Sequence, residues 1–142
     1  GRISFYDYTK RFAFFVAHHN EYLIENPRII IKNAIDKQFA SQNRLSPTGW
    51  ANKIAVKLKK YWFNLAGVEN YSWTMEQTKV VTYGDQTYSK TVDTLQYFFP
   101  VNVVEKWEVQ LLTWEELGYD MELIIWNDFI SHTANNPFSY ER

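Results

Sequence analysis

The residue pattern of this chain changes near residue 70, and that change restricts its possible folds more than any other feature of the sequence. Before it, apolar residues recur at helical spacing, and Asn26-Pro27 and Ser46-Pro47 each place a capping side chain before a proline, as at the start of a helix. After it, Thr, Val, Tyr and Trp are frequent and apolar residues alternate with polar ones, as in strands. The pattern predicts an α+β fold with its helices segregated before its sheet.

Three helices are predicted before residue 70. The first covers residues 7–24, and the second begins at Pro27 and has an apolar stripe that ends at Phe39. The third covers residues 47–66 and is stopped by Gly67, the residue type preferred just after a helix end. Its apolar residues recur every three or four positions, which is the spacing of one helix face: Trp50, Ile54, Leu58, Tyr61 and Leu65.

Four strands with short links are predicted after residue 70. They cover residues 71–83, 87–99, 101–111 and 119–125. Gly84-Asp85 marks the first turn, and the alternation slips near Val104, which indicates a bulge. We therefore expect a four-stranded antiparallel β-meander, with three N-terminal helices packed on its apolar face.

A length of 142 residues fits one α+β domain, 1–142. Within it we expect a helical, basic half (1–70), an acidic antiparallel sheet (71–131) and an irregular tail (132–142). The chain has no cysteine, which excludes a disulfide scaffold, a cysteine zinc site and a thiol nucleophile. Its apolar runs are shorter than the roughly 20 residues of a membrane span, so we expect a soluble protein of the cytoplasm or of a virion.

The formal net charge of −1 is the sum of two unlike halves. Residues 1–70 contain eleven Lys and Arg and five Asp and Glu, a balance of +6. Residues 71–142 contain four bases and eleven acids, a balance of −7. Three interpretations are open: the halves dock on each other, the basic half binds nucleic acid or acidic lipid, or copies of the chain assemble head to tail.

Lysines are concentrated on the third predicted helix. They are Lys53, Lys57, Lys59 and Lys60. Tyr61 and Trp62 follow them directly, and lysines beside aromatic rings can hold phosphates while a base stacks on a ring. The alternative is that these lysines form the solvent side of an amphipathic helix. They are therefore candidates for contact with a nucleic acid or with an acidic partner.

Aromatic residues make up 18% of the chain, more than we expect a four-stranded sheet under three helices to bury. Trp and Tyr are enriched at protein interfaces. We therefore expect a protein interface on the sheet, formed by Trp107, Trp114, Tyr119 and Trp126. Core packing and ligand stacking are the alternatives.

The histidines do not form a metal-binding motif. His18 and His19 are adjacent on a predicted helix and point about 100° apart, so they cannot hold one metal from the same face. Asp128 and His132 are four residues apart and can supply two ligands, fewer than a metal site requires. We expect no metal site and no cofactor.

Carboxylates are frequent near the last predicted strand. Asp120 and Glu122 lie two residues apart on one strand face, as the acids of metal-dependent nucleases do, but no lysine follows them on that strand. The polar face of a hairpin accounts for them as well. Glu115 and Glu116 add to an acidic surface that can imitate nucleic acid. We expect no catalytic residue among them.

These features favour a non-enzymatic structural or interaction subunit of a larger, symmetric assembly, with protein partners in a homo- or hetero-oligomer. By analogy alone, a small aromatic-rich subunit of this kind suits a bacteriophage connector, neck or tail-completion ring. The alternatives are a nucleic-acid-binding module that uses the lysine-rich helix face, a small acidic inhibitor or immunity protein, and an enzyme whose site the sequence does not show.

Overall fold

The computed structural model describes residues 21–73, 75–107 and 117–131, which form a mixed five-stranded sheet with helices between the strands. The strands are β1 (Ile29–Asn33), β2 (Leu65–Asn70), β3 (Lys79–Tyr83), β4 (Val103–Trp107) and β5 (Met121–Ile125). The helices are α1 (Tyr22–Glu25), α2 (Lys37–Gln42), α3 (Trp50–Lys59), α4 (Ser89–Phe98) and α5 (Asn127–Ser131). None of these helices is long and apolar enough to cross a membrane.

The strand order is β2-β1-β5-β3-β4. Strands β2, β1 and β5 are parallel to one another, and β3 is antiparallel to β5 and parallel to β4. The first strand of the described chain therefore pairs with the last one, with Ile29 opposite Met121 and Asn33 opposite Ile125. This long-range pairing places β1 and β5 inside the sheet and leaves β2 and β4 at its edges.

The predicted arrangement of three N-terminal helices on a four-stranded antiparallel meander is wrong. Helices and strands are interspersed, and in the described chain β3 and β5 form the one antiparallel pair. The segment assigned to the second helix begins with β1, because Ile29, Ile30 and Ile31 are β-branched and suit a strand. A short continuous apolar run is typical of a parallel strand buried on both faces, and such a run has no alternation to reveal it.

The third predicted helix is real but shorter than expected. Its apolar face contains Ile54 and Leu58, as predicted, and it ends at Lys59. Trp62 adopts a left-handed backbone conformation (φ 63°), which breaks the helix and turns the chain towards β2. Gly67 does not stop a helix, because it lies inside β2 opposite Ile30.

The segment 87–99, predicted as a strand, contains helix α4. Its buried residues Thr91, Leu95 and Phe98 recur at three and four positions, which is helical spacing. The carboxylate of Glu25 in α1 caps this helix: it accepts the N–H groups of Lys90 at 3.2 Å and Thr91 at 2.7 Å. The cap comes from a residue 65 positions away, so no local sequence signal could indicate it.

The last two predicted strands overlap β4 and β5. The bulge predicted near Val104 is wrong, because β3 and β4 pair without a break from Lys79–Val103 to Tyr83–Trp107. The first predicted helix lies outside the described residues except for its last few. Most of the link expected between the last two predicted strands (residues 114–118) lies outside the described residues, and so does the predicted tail (132–142).

Helices α1, α3, α4 and α5 contribute side chains to the main core, which they form with one face of the sheet. From the sheet this face presents Ile29, Ile31, Val80, Met121, Leu123 and Ile125. Aromatic rings fill much of the remaining space: Tyr22 stacks on Phe63 at 4.5 Å, and Phe99 packs against Phe129 at 5.4 Å. Six of the 17 aromatic residues in the described part of the chain are buried, which agrees with core packing for these six, whereas Trp62, Trp73, Tyr97 and Trp107 are exposed.

Removing a central core side chain should destabilise the fold strongly. Leu123 is fully buried in β5, and Leu123→Ala is expected to lower the free energy of unfolding by about 3 kcal/mol, because a cavity remains. Ile24 is exposed in α1, and Ile24→Ala should change it by less than about 0.5 kcal/mol. Urea unfolding measures both, and equal losses in the two variants would contradict the assigned core.

Candidate functional site

Arg28 and Asp120 form an ion pair where β1 and β5 begin. The Arg28 side chain donates from Nε to Oδ2 of Asp120 at 3.1 Å and from its terminal nitrogen to Oδ1 at 3.0 Å, and its backbone N–H donates to Oδ2 at 2.9 Å. Burial alone would raise the pKa of the Asp120 carboxyl, but these hydrogen bonds and the positive charge of Arg28 outweigh it and lower the pKa. The pair therefore fixes the start of the central strand pairing.

A second pair, Lys32 and Glu122, lies further along the same two strands. Lys32 Nζ donates to Glu122 Oε1 at 2.8 Å, and the two side chains are only 14% and 6% exposed. The hydroxyl of Tyr119 also donates to Oε1 of Glu122, at 3.0 Å. Burial acts to lower the pKa of Lys32, but the hydrogen bond and charge of Glu122 outweigh it and raise the pKa.

Tyrosine rings surround this buried pair. The Lys32 ammonium lies 5.6 Å from the ring centre of Tyr119 and 6.0 Å from that of Tyr71. Burial and the negative charge of Glu122 raise the pKa of Tyr83. We call these five residues (Lys32, Glu122, Tyr71, Tyr83 and Tyr119) the Lys32 cluster. Its two opposite charges neutralise and hydrogen bond each other, an arrangement suited to holding strands in register.

The acids that suggested a nuclease therefore have structural partners. Asp120 and Glu122 do lie on one face of the sheet, but Asp120 pairs with Arg28, directly before β1, and Glu122 pairs with Lys32 of β1. Both acids are buried, so they do not form the polar face of a hairpin. Sequence reasoning missed Arg28 and Lys32. The available signal was Lys32 itself, because a charge directly after three isoleucines in a buried strand indicates a buried partner.

The other metal-ligand candidates are dispersed or outside the described residues. Both oxygens of Asp128 accept the N–H of Thr78 at 3.0 Å, and Oδ1 also accepts its hydroxyl at 2.6 Å, so this carboxylate anchors the entry to β3. No group of three or more His, Asp or Glu residues that could hold a metal is present in the described part of the chain. His18, His19 and His132 lie outside it.

The predicted aromatic interface residues lie in different environments. Trp107 ends the edge strand β4, is exposed, and donates from Nε1 to Glu105 at 3.0 Å. Trp126 is half-buried and packs against the small cluster of Met75, Val81 and Ile124. Tyr119 belongs to the Lys32 cluster, and Trp114 lies outside the described residues. The predicted interface at these four residues stays a prediction.

The lysines of α3 lie on the outer side of that helix. Ala51, Ile54, Ala55 and Leu58 are its buried residues. Lys53, Lys59 and Lys60 are exposed and Lys57 is half-buried, and we call these four lysines the α3 basic face. The Lys53 ammonium lies 4.7 Å above the ring centre of Trp50. Trp62, just beyond the helix, is 57% exposed. An exposed indole therefore follows the last of these lysines within two residues along the chain.

Acidic residues are missing from the whole segment that carries this face. Residues 37–68 contain six bases, which are Lys37, Arg44 and the four lysines of α3, and no Asp or Glu. The α3 basic face therefore lies in a segment whose charged residues are all basic.

Comparisons with protein-family models, curated proteins and solved structures find no match for this chain. Its function is therefore inferred from the surfaces and charges of the described residues.

Breaking the buried pair from one side should be more harmful than replacing it from both. Glu122→Gln leaves the Lys32 charge buried without its main partner and should lower the free energy of unfolding by about 3 kcal/mol. Combining it with Lys32→Met removes that charge and should restore part of the loss. Urea unfolding at neutral pH measures the double-mutant cycle.

An exposed pair provides the control. Lys90 and Glu21 are both more than half exposed, and Lys90→Met should lower the free energy of unfolding by no more than about 1 kcal/mol. Strictly additive effects of Lys32→Met and Glu122→Gln would show that the two side chains do not interact.

The Arg28–Asp120 pair should stabilise the fold only where Asp120 is ionised. Because the folded pKa of Asp120 lies below its usual value of about 3.9, the stabilisation is complete above that value and is lost as the pH falls through the folded pKa. The difference in unfolding free energy between wild type and Arg28→Met should therefore shrink below about pH 4. Urea unfolding between pH 7 and pH 2 measures it; a constant difference would refute the assignment.

Proposed function

We propose that this chain is a non-enzymatic interaction protein that binds a partner rich in negative charge through the α3 basic face. The observation that carries the proposal is the separation of the two sides of α3. One side is buried against the sheet, and the other presents four lysines on a segment of 32 residues without a single acid. Such a surface attracts polyanions even when the net charge of the molecule is close to zero.

The helix itself does not require all of these lysines. Lys57 and Lys59 lie in the last turn, where cations interact favourably with the helix dipole by roughly 0.3–1 kcal/mol each. Lys53 is only the fourth residue of α3, near the end where the dipole disfavours a cation. The helix dipole therefore accounts for Lys57 and Lys59 but not for Lys53, whose ammonium lies over the ring of Trp50.

The partner can be a nucleic acid or the acidic surface of another subunit. The role predicted from the sequence, a subunit of a symmetric assembly such as a virion connector, neck or tail-completion ring, is compatible with either partner and stays a prediction. The alternative function of a small acidic inhibitor would use a negatively charged surface instead. Its candidate residues, Glu115 and Glu116, lie outside the described residues.

Charge reversal on α3 tests the proposal. The probe is heparin, and since the chain has a net charge of −1, its retention at neutral pH and low salt requires a local basic surface. We expect wild type to be retained and to elute as salt is raised, because binding releases counterions. Lys53→Glu with Lys59→Glu should abolish most of this retention.

A matched double variant controls for net charge. Lys90→Glu with Lys106→Glu changes the formal charge by the same amount, from −1 to −5, on exposed lysines outside α3. It should elute close to wild type. Equal elution of the two double variants, or a wild type that is not retained, would rule out the α3 basic face as the binding surface.

A further inference from the structure

We infer that the partner of the α3 basic face is a single-stranded nucleic acid, and that Trp62 supplies a stacking surface for one of its bases. This assignment rests on the proposed function and adds to it the chemical class of the partner. It combines three observations: the lysines along α3, the exposed indole of Trp62, and the tight turn that joins Trp62 to the end of α3.

The turn after α3 fixes the position of Trp62. Its backbone N–H donates to the carbonyl of Lys59 at 3.1 Å, and its φ of 63° lies in the left-handed region that a bulky side chain rarely adopts. The neighbouring Tyr61 is turned inward and is 2% exposed, whereas Trp62 is 57% exposed. The chain thus exposes an indole in the turn that directly follows Lys59 and Lys60, although Trp side chains are on average highly buried.

The spacing of the lysines suits a strand that runs along the helix. Lys53 and Lys60 are seven residues apart, which is about 10 Å along a helix axis. Lysines distributed over this length can contact successive phosphates, and their contacts are sequence-independent. Trp62 follows Lys60 by two residues and so comes directly after the last lysine of the α3 basic face.

An exposed indole directly after these lysines favours a single strand over the other polyanions. Bases of a single strand are available to stack on aromatic side chains, and this stacking tolerates any sequence. Bases of a duplex are already stacked on each other, and an acidic protein surface or heparin has no base to offer. Trp62 therefore distinguishes the partners that the lysines alone do not.

Anisotropy of a fluorescein-labelled oligo-dT of about 12 nucleotides tests the inference, since single-strand sites span roughly 4–16 nucleotides. Trp62→Ala should weaken binding of this oligonucleotide by about fivefold or more, because stacking is lost. Trp62→Phe keeps an aromatic face and should retain most of the affinity, whereas Trp62→Leu keeps only apolar bulk and should not.

Two controls accompany these variants. Trp73 is 77% exposed in the loop between β2 and β3, outside the acid-free segment, so Trp73→Ala should bind the oligonucleotide as wild type does. Retention of Trp62→Ala on heparin should equal that of wild type, which also shows that the variant is folded and that its lysines remain in place.

The outcomes separate the two proposals. If the Lys53→Glu, Lys59→Glu variant no longer binds heparin but Trp62→Ala binds oligo-dT with wild-type affinity, the α3 basic face is supported as the binding surface and base stacking on Trp62 is overturned. The same holds if wild type binds heparin or a duplex but not oligo-dT. If wild type forms oligomers at low salt that the α3 variant does not form, the partner is the acidic surface of another copy. If the binding of neither heparin nor oligo-dT depends on the α3 lysines, both proposals fail.

Discussion

The parallel pairing of β1 with β5 is the contact on which the rest of the sheet depends. These strands are about 90 residues apart in the chain, so their pairing closes most of the described chain into one loop. Strands β2 and β3 pair directly with β1 or β5, and β4 pairs with β3. An error in the register between β1 and β5 would therefore shift the position of every other strand.

Two ion pairs fix that register. A slip of one residue would exchange the two faces of β1 and bring Lys32 towards the core between the sheet and the helices. It would also separate Arg28 from Asp120 and Lys32 from Glu122, leaving the charges of Asp120, Lys32 and Glu122 in poorly solvated positions. Buried pairs of this kind contribute less to net stability than to excluding wrong arrangements, because desolvation offsets much of their attraction. The charges between the strands therefore specify the pairing, and the apolar face supplies most of the stabilisation.

The parts of the fold that could be predicted are those with local periodicity. The face of α3 with Ile54 and Leu58, and the strands β4 and β5, follow from the spacing of their own residues. Strand β1 could not be recognised in this way, because a strand buried on both faces has no alternation and its run of isoleucines also fits a helical stripe. The same limit applies to the site: the lysines of α3 are local and were found, whereas the partners of Asp120 and Glu122 lie about 90 residues away.

The sheet also explains why Lys32 and the lysines of α3 lie in different environments. Alternation along β1 places Ile29 and Ile31 on the face that packs against α3 and Lys32 on the opposite face. The acids of β5 that neutralise Lys32 and Arg28 are therefore separated from the α3 lysines by the sheet itself. Arg28 and Lys32 of the basic half form ion pairs with Asp120 and Glu122 of the acidic half, as expected if the two halves dock on each other. The lysines of α3 do not pair with these two acids, because they lie on the side of α3 opposite its buried residues. The same packing that forms the core thus holds the lysines of α3 on the outer side of that helix.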